Sequence, residues 1–445
     1  MPIISQAPSY NLKAVLKETG LTADTLRAWE RRYGLPIPQR TPGGHRIYSE
    51  YDIETVKWLR ARQAEGLRIS QAVELWKEII DKGRDPLVDY TPEDAIPGPD
   101  FALSAGIRVE NLRHDWLEAS LSFDEIKAEE VLNQAFAIYP VETVCTAILQ
   151  SGLNTIGEEW YLGKATAQQE HFASALAIRR LETLVAATPR PTREQIVLVG
   201  CPPNEWHTFP VLLLNLILRR RGLAVVYLGA NVPIGQLEET AAAIHPDLTV
   251  LAAQQLITAA TLQSAALALQ AHKTSLAYGG LIFNRIPKLR ERIPAYFLGE
   301  SVEGAVQLIG RLLYAPAPLP TALGVGETYR KVARLYGEKR PSIEIRLHEY
   351  LKKFNLPSEY LDEANAFFGS RLTAALELGD PAYLEADLEW VKGLLTGHQF
   401  PAERPNQYLA AYSDAIRVVM DEVGNPISDW LVSYTLRTTQ PVSEE

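Results

Sequence analysis

A chain of 445 residues that is 47% hydrophobic and 22% charged is too long for one ordinary domain, and its balance excludes a largely disordered or collagen-like protein. No apolar run reaches the roughly 18–20 residues needed to span a bilayer, and the start MPIISQAPSYNLK lacks a basic segment followed by an apolar one, so a cytoplasmic protein is expected. The net charge of −10 is uneven: residues 1–85 hold 14 Lys and Arg against 11 Asp and Glu, a weakly basic head on an acidic body, which suits contact with nucleic acid through one module only.

At the N-terminus, residues 10–19 are predicted to form a short helix, Gly20 a turn, and Thr22 the cap of a second helix running through Tyr33. On that helix Arg27 and Arg31 are four apart and share a face, while Leu26 and Trp29 point inward. The run Pro42-Gly43-Gly44-His45-Arg46-Ile47-Tyr48 reads as a tight glycine turn with His45 and Arg46 at its tip. TLRAWERRYGL (25–35) and GHRIY (44–48) together resemble the winged-helix head of MerR-family transcription regulators, over residues 10–79. That resemblance implies a second helix in the major groove of double-stranded DNA, with Arg27, Arg31 and Arg32 on bases or phosphates. It also implies a wing whose His45, Arg46 and Tyr48 clamp the flanking backbone.

Residues 85–100 combine four prolines with five acids and no apolar period, the composition of an extended connector. Between 101 and 188, apolar residues recur at helical spacing, as at Ile126, Val131, Leu132 and Phe136 and then Val144, Ile148 and Leu149, which predicts a bundle of about four helices. Near its end, Trp160 stands ten and eleven residues before Glu170 and His171, within GEEWYLGKATAQQEHFAS.

From Arg193 the period changes. Short apolar runs at Gln195–Gly200, Leu223–Leu228, Leu248–Ala253, Ser275–Tyr278 and Ala295–Leu298 alternate with helix-length segments, which predicts a doubly wound α/β region with a parallel sheet. Ligands of such sheets sit beyond the carboxyl ends of the strands, so the loop Cys201–Phe209 is the first candidate site. There His207 can give one ring nitrogen to a metal while Glu205, two residues earlier, holds the other. The two cysteines, Cys145 and Cys201, have neither CxxC nor Cys/His spacing and are expected to be buried small hydrophobes.

Glu205-x-His207, then YLGANVP (227–233) and Tyr278-Gly279-Gly280, resemble the cobalamin-binding domain of methionine synthase and corrinoid proteins, over residues 193–313. The resemblance implies that His207 is the lower axial ligand of cobalt and that Gly279 and Gly280 let the nucleotide tail lie against backbone. Two positions depart from that family's pattern: Pro210 replaces a glycine, and Ala252-Ala253-Gln254 replaces a Ser-x-Leu or Ser-x-Thr that lines the tail pocket. The Trp160 and Glu170-His171 segment, and the order head, bundle, cobalamin domain, resemble the light-responsive, adenosylcobalamin-dependent MerR-type repressors. In that family a Trp and a Glu-His pair cover the upper adenosyl face, and a His directly after the Trp takes the upper cobalt position after illumination. Here Tyr161 stands in its place.

A second connector runs from Tyr314 to Gly326, where Pro316, Pro318 and Pro320 alternate with small residues. Beyond it, Asp380-Pro381 is an N-cap and first helical position, with Leu384, Leu388, Val391 and Leu395 as an apolar stripe behind it. LEWVKGLL (388–395) with Phe400-Pro401 faintly resembles the helical C-terminal domain of photocobilins, which implies a bilin; His398 is then a possible partner for it, and the absence of cysteine from this region excludes a thioether link.

The expectation is a multidomain chain: a winged-helix head (1–84), a linker (85–100), a four-helix cap bundle (101–190), a cobalamin-binding-like α/β domain (191–313), a linker (314–326) and a helical C-terminal domain (327–445). Its expected function is that of a homo-oligomeric, non-enzymatic DNA-binding repressor, dimer or tetramer, controlled by adenosylcobalamin and light. The alternatives are a MerR-type regulator with a degenerate, cobalamin-free sensor controlled by another ligand or a partner protein, and a corrinoid methyl-transfer protein.

Overall fold

The computed structural model describes residues 8–40, 46–64, 69–81, 86–87, 101–271, 274–315, 317–352, 358–397, 401 and 403–439. His45, Pro316, His398, Phe400 and nearly all of the 85–100 connector lie outside them. Contacts divide the chain into two compact units, Met1–Arg108 and Val109–Glu445.

In the first unit, the helix Leu12–Thr19 starts where Asn11 accepts a hydrogen bond from the Ala14 N–H, and it ends at Gly20, whose φ of 64° suits a residue without Cβ. Helix Ala23–Tyr33 is capped by Thr22 and ends at Gly34 in the same left-handed conformation. Tyr10 and Asn11, expected to begin the first helix, form a strand instead (β1, Tyr10–Asn11). The small antiparallel sheet has the order β1, β3 (Arg46–Tyr48), β2 (Gln39–Arg40). Helices Glu50–Ala64 and Ile69–Asp81 close a core of Leu26, Trp29, Tyr48, Leu59 and Trp76.

The second unit begins within helix Phe101–Leu121, at Val109, and continues with helix Glu125–Ile138. A third helical run begins at Val141–Thr143, widens into a π turn over Val144–Gln150 and resumes as Ser151–Tyr161; helix Ala167–Ala186 is the fourth. Ile126, assigned to the apolar stripe from sequence, is 75% exposed, because helix Glu125–Ile138 buries Ala128, Val131, Leu132 and Ala135 and turns its first turn outward. Cys145 and Cys201 are both fully buried, and burial pushes each thiol up to about 12.

The chain then lays down β4 (Ile196–Gly200), β5 (Ala224–Gly229), β6 (Leu248–Ala252), β7 (Leu276–Gly279) and β8 (Tyr296–Phe297) as one parallel sheet of order β5-β4-β6-β7-β8. Strand runs buried on both faces are continuously apolar, which is why they stood out in the sequence. The order reverses between β4 and β6, so the loops after β4, β6 and β7 converge at that point.

The remainder is helical: Glu327–Leu351, Ser358–Glu377, a 3-10 turn Pro381–Leu384 running into Glu385–Gly397, then Glu403–Met420 and Asn425–Thr439. Asp380 caps the 3-10 turn through the Ala382 N–H. This region shares one hydrophobic core with helix Leu256–Ala271 on a face of the sheet, through residues such as Phe368, Leu372 and Leu376.

Candidate cofactor and DNA sites

On helix Ala23–Tyr33, Arg27, Arg31 and Arg32 are exposed, as a nucleic-acid contact requires. Between them Glu30 turns the other way, with its side chain 10% exposed. It accepts hydrogen bonds from Arg46 Nε at 2.7 Å and from the Tyr48 hydroxyl at 2.6 Å. The expectation that Tyr48 clamps DNA is therefore corrected: its side chain is fully buried, and burial together with the Glu30 carboxylate raises its pKa, so it remains a proton donor inside the fold. Tyr48 and Arg46 fasten the wing strand to the recognition helix. In the sequence Glu30 is only one residue of the TLRAWERRYGL motif, with nothing local to mark its partners.

The loop after β4 is pinned at several points. Cys201 N–H donates to Gly229 O, Val232 N–H to Cys201 O, Asn231 N–H to Glu205 O, and Asn204 N–H to the Asn231 side chain. Inside it the Glu205 carboxylate is fully buried. Its Oε1 accepts from His207 Nδ1 at 2.6 Å and from the His207 N–H at 3.0 Å, and its Oε2 from the Gln254 N–H at 2.7 Å and the Thr258 hydroxyl at 2.6 Å. Burial alone would raise the Glu205 pKa, but the bonds from His207, Thr258 and Gln254 outweigh it and hold the group ionised. Its hydrogen bond raises the pKa of His207. With Nδ1 held as donor, the neutral ring carries its lone pair on Nε2, and the side chain is 57% exposed.

Above the carboxyl ends of the strands lies a cavity of about 420 Å³, lined among others by Gln150, Asn154, Pro210, Gln254, Gly279 and Asn284. Gly280 has a φ of 122°, and a Cβ there would fall on the Ala253 carbonyl oxygen, so only glycine allows this approach; beside Gly279 there is open space. Pro210 sits in the first turn of helix Phe209–Arg220, where no intrahelical N–H bond is needed, so the helix starts normally without the glycine of the resembling family.

A corrinoid fits these residues on three observations. His207 presents one oriented imidazole, the donor suited to a metal whose other positions are already filled. The cavity is bounded by glycine backbone. Two buried polar atoms lining it, Gln254 Nε2 and Asn284 Oδ1, have no hydrogen-bond partner, which is uncommon for buried groups and matches a polar ligand that completes them. Ala252, which also lines the cavity, supplies no hydroxyl there. Thr258 and Gln254, which sequence reading gave no such part, complete the anchorage of Glu205.

On the bundle side, His171 is 82% exposed, with Nδ1 2.9 Å from Glu170 Oε2, while Glu170 Oε1 accepts from Ser174. After the Glu205 hydrogen bond and charge, the Glu170 carboxylate also pushes the pKa of His207 upward. Trp160 and Tyr161 are partly buried and pack against Trp390. Among the described residues no helix is long and apolar enough to cross a membrane, and no group of three or more His, Cys, Asp or Glu could hold a metal ion.

Comparison with known proteins places these features. Residues 10–79 match the MerR HTH family of regulatory proteins, and residues 112–184, the bundle, match a B12 binding domain. The chain is 31% identical to the HTH-type transcriptional repressor CarH of Myxococcus xanthus over 243 residues, covering 55% of this chain and 78% of that protein. It is 30% identical to CarA of the same organism over 246 residues, 55% of this chain and 76% of that one. A solved structure, the Methanosarcina barkeri monomethylamine corrinoid protein, is similar at 18% identity over 45% of this chain and 96% of that one, with a TM-score of 0.38, too low to bear on this fold. The chain belongs to the family of MerR-type HTH transcriptional repressors with a B12-binding region that includes CarH and CarA.

Proposed function

We propose that this protein is a DNA-binding repressor whose hold on its operator is set by adenosylcobalamin and light. The observation that carries the reading is the Glu205–His207 pair, one buried carboxylate that orients one imidazole and is bonded by the backbone of Gln254, a residue lining a cavity in which Gln254 Nε2 and Asn284 Oδ1 have no hydrogen-bond partner. The cofactor, when bound, supplies a cobalt–carbon bond that light can cleave. The chain supplies the rest. Glu205 fixes the tautomer and direction of His207, Gly279 and Gly280 let backbone approach the nucleotide tail, and Trp160, Glu170 and His171 cover the opposite side from the bundle.

The division of labour we infer follows the layout given from sequence: 1–84 for DNA, 101–190 and 191–313 for the cofactor, 327–445 as a helical extension, with 85–100 and 314–326 between them. Arg27, Arg31 and Arg32 take the bases or phosphates and Arg46 the flanking backbone. Several heads joined in a homo-oligomer bind one operator far more tightly than a single head, so control of assembly is control of repression. Such a regulator works in the cytoplasm. The basic head and the family favour a regulator over a corrinoid methyl-transfer protein.

A mobility-shift assay with operator DNA tests this reading, using the full chain alone, with adenosylcobalamin in the dark, and after green light. Tight binding is expected only in the dark with cofactor. Equal binding in all three would favour the cobalamin-free, partner-controlled alternative.

A further inference from the structure

Three aromatic rings meet at the end of helix Ser151–Tyr161, and one of them comes from the helical extension. The Trp390 ring centroid lies 5.8 Å from that of Trp160 and 5.7 Å from that of Tyr161, at interplanar angles of 39° and 31°. These angles are those of offset, tilted stacking, and each of the three residues is only partly buried. The close approach depends on Gly393, one turn beyond Trp390, because a Cβ there would fall on the Tyr161 hydroxyl.

The cluster and the cavity share helix Ser151–Tyr161. Asn154 lines the cavity, and Tyr161, seven residues on in the same helix, shares its face about 10 Å further along the axis. The segment carrying Asn284, which also lines the cavity, reaches the same extension helix through Arg285 Nη2 donating to Ala386 O at 3.3 Å. Helix Glu385–Gly397 is itself firmly held from behind. Arg371 pairs with Asp387 at 3.1 Å, the Tyr434 hydroxyl donates to Glu389 at 2.6 Å, and Arg437 pairs with Glu385 at 2.6 Å. Its position is set by the extension, and its Trp390 side meets Trp160 and Tyr161.

We infer that Trp390, with Trp160 and Tyr161, forms an aromatic seat for a planar group on the upper ligand of the bound cobalamin, so that the helical extension is part of the cofactor site. This rests on the cobalamin reading above. A neutral purine offers the flat π face that such a seat stacks against, and a water or hydroxide upper ligand does not. Trp390 therefore favours the adenosyl form over forms with a small upper ligand.

The test is a dark visible-spectrum titration of full-length wild type, Trp390→Ala and Trp390→Phe with adenosylcobalamin and with hydroxocobalamin. Trp390→Ala is expected to weaken adenosylcobalamin about tenfold, within what a base stacked on an aromatic side chain contributes, and to change hydroxocobalamin less than twofold. Trp390→Phe keeps a π face and should stay within about threefold of wild type for both. Should Trp390→Ala fail to fold, Trp390→Leu keeps apolar bulk without the π face and is expected to show the same selective loss. An equal loss for both cobalamins would reduce Trp390 to a packing residue and overturn the inference, as would no loss for either. A wild type that takes up neither form would overturn the cobalamin reading itself, a result separate from those two.

Discussion

The molecule carries two Glu–His pairs, and they are built differently. In Glu205–His207 the carboxylate is fully buried, takes four hydrogen bonds from two loops and one helix, and holds the ring at 2.6 Å. In Glu170–His171 the side chains are 34% and 82% exposed, and the contact is 2.9 Å on the open surface of one helix. A ligand that must stay on the metal needs its direction fixed before binding. A group that must respond to a change needs freedom to turn, so under the proposed function the first pair is the anchor and the second the pair left free to respond. The head repeats the contrast on one helix, where Glu30 is committed to Arg46 and Tyr48 while its neighbour Arg31 is exposed.

If that contrast is right, the largest effect comes from the anchor. His207→Ala should abolish the spectrum of histidine-ligated cobalamin while leaving the apoprotein folded, since the side chain is half exposed. Glu205→Gln should keep the histidine but lower cobalamin affinity by about 10–100-fold, the usual cost of losing a partner behind a ligand. Retention of wild-type affinity by Glu205→Gln would erase the distinction between the two pairs.

The exposed arginines come next. Arg31→Ala should weaken operator binding by about 1–3 kcal/mol and blur sequence preference. Tyr48→Phe should leave the affinity of the folded protein for DNA unchanged and cost about 1 kcal/mol of head stability, the worth of one hydrogen bond to Glu30. Loss of DNA affinity without loss of stability in that variant would restore the contact role that burial denies.

Tyr161→His should give a longer-lived illuminated state, because an imidazole is a better cobalt ligand at neutral pH than a phenol whose reference pKa is about 10. Spectra and gel filtration after light, variant against wild type, measure it.

The smallest effect is in pH. The folded-state pKa of His207 is raised, so its bond to Glu205 contributes stability below the unfolded value of about 6.5, lost as pH rises through the higher folded value. For Glu205 the folded pKa is lowered, so its contribution is present above about 4.3 and lost as pH falls through the lower folded value. The melting temperature of apoprotein wild type should therefore exceed that of His207→Ala by more at pH 6 than at pH 9.

Much of this could be read from residue order, and the rest could not for identifiable reasons. Continuous apolar runs gave the five parallel strands to within a residue or two, because the inner strands β4, β6 and β7, buried on both faces, leave no polar alternation to confuse, and the edge strands β5 and β8 are apolar as well. Thr22 and Gly20 gave helix ends of the head because caps are local chemistry. Tyr48 was misjudged because a tyrosine beside Arg46 in a wing looks like a backbone clamp, and its partner Glu30 lies 18 residues away. Thr258 was missed because its bond to Glu205 spans 53 residues, and Trp390 because its contact with Trp160 joins parts of the chain that no local pattern relates. The π turn at Val144–Gln150 shifts the helical phase just before Gln150 and Asn154 reach the cavity, a detail that helical spacing alone does not show.

The most direct measurement is the visible absorption spectrum of the full chain purified with adenosylcobalamin in the dark, recorded before and after green light beside His207→Ala. The account predicts a histidine-ligated cobalamin in wild type, lost in the variant, and a change of the wild-type spectrum on illumination. A dark spectrum identical in wild type and His207→Ala, or one unaltered by light, would contradict it.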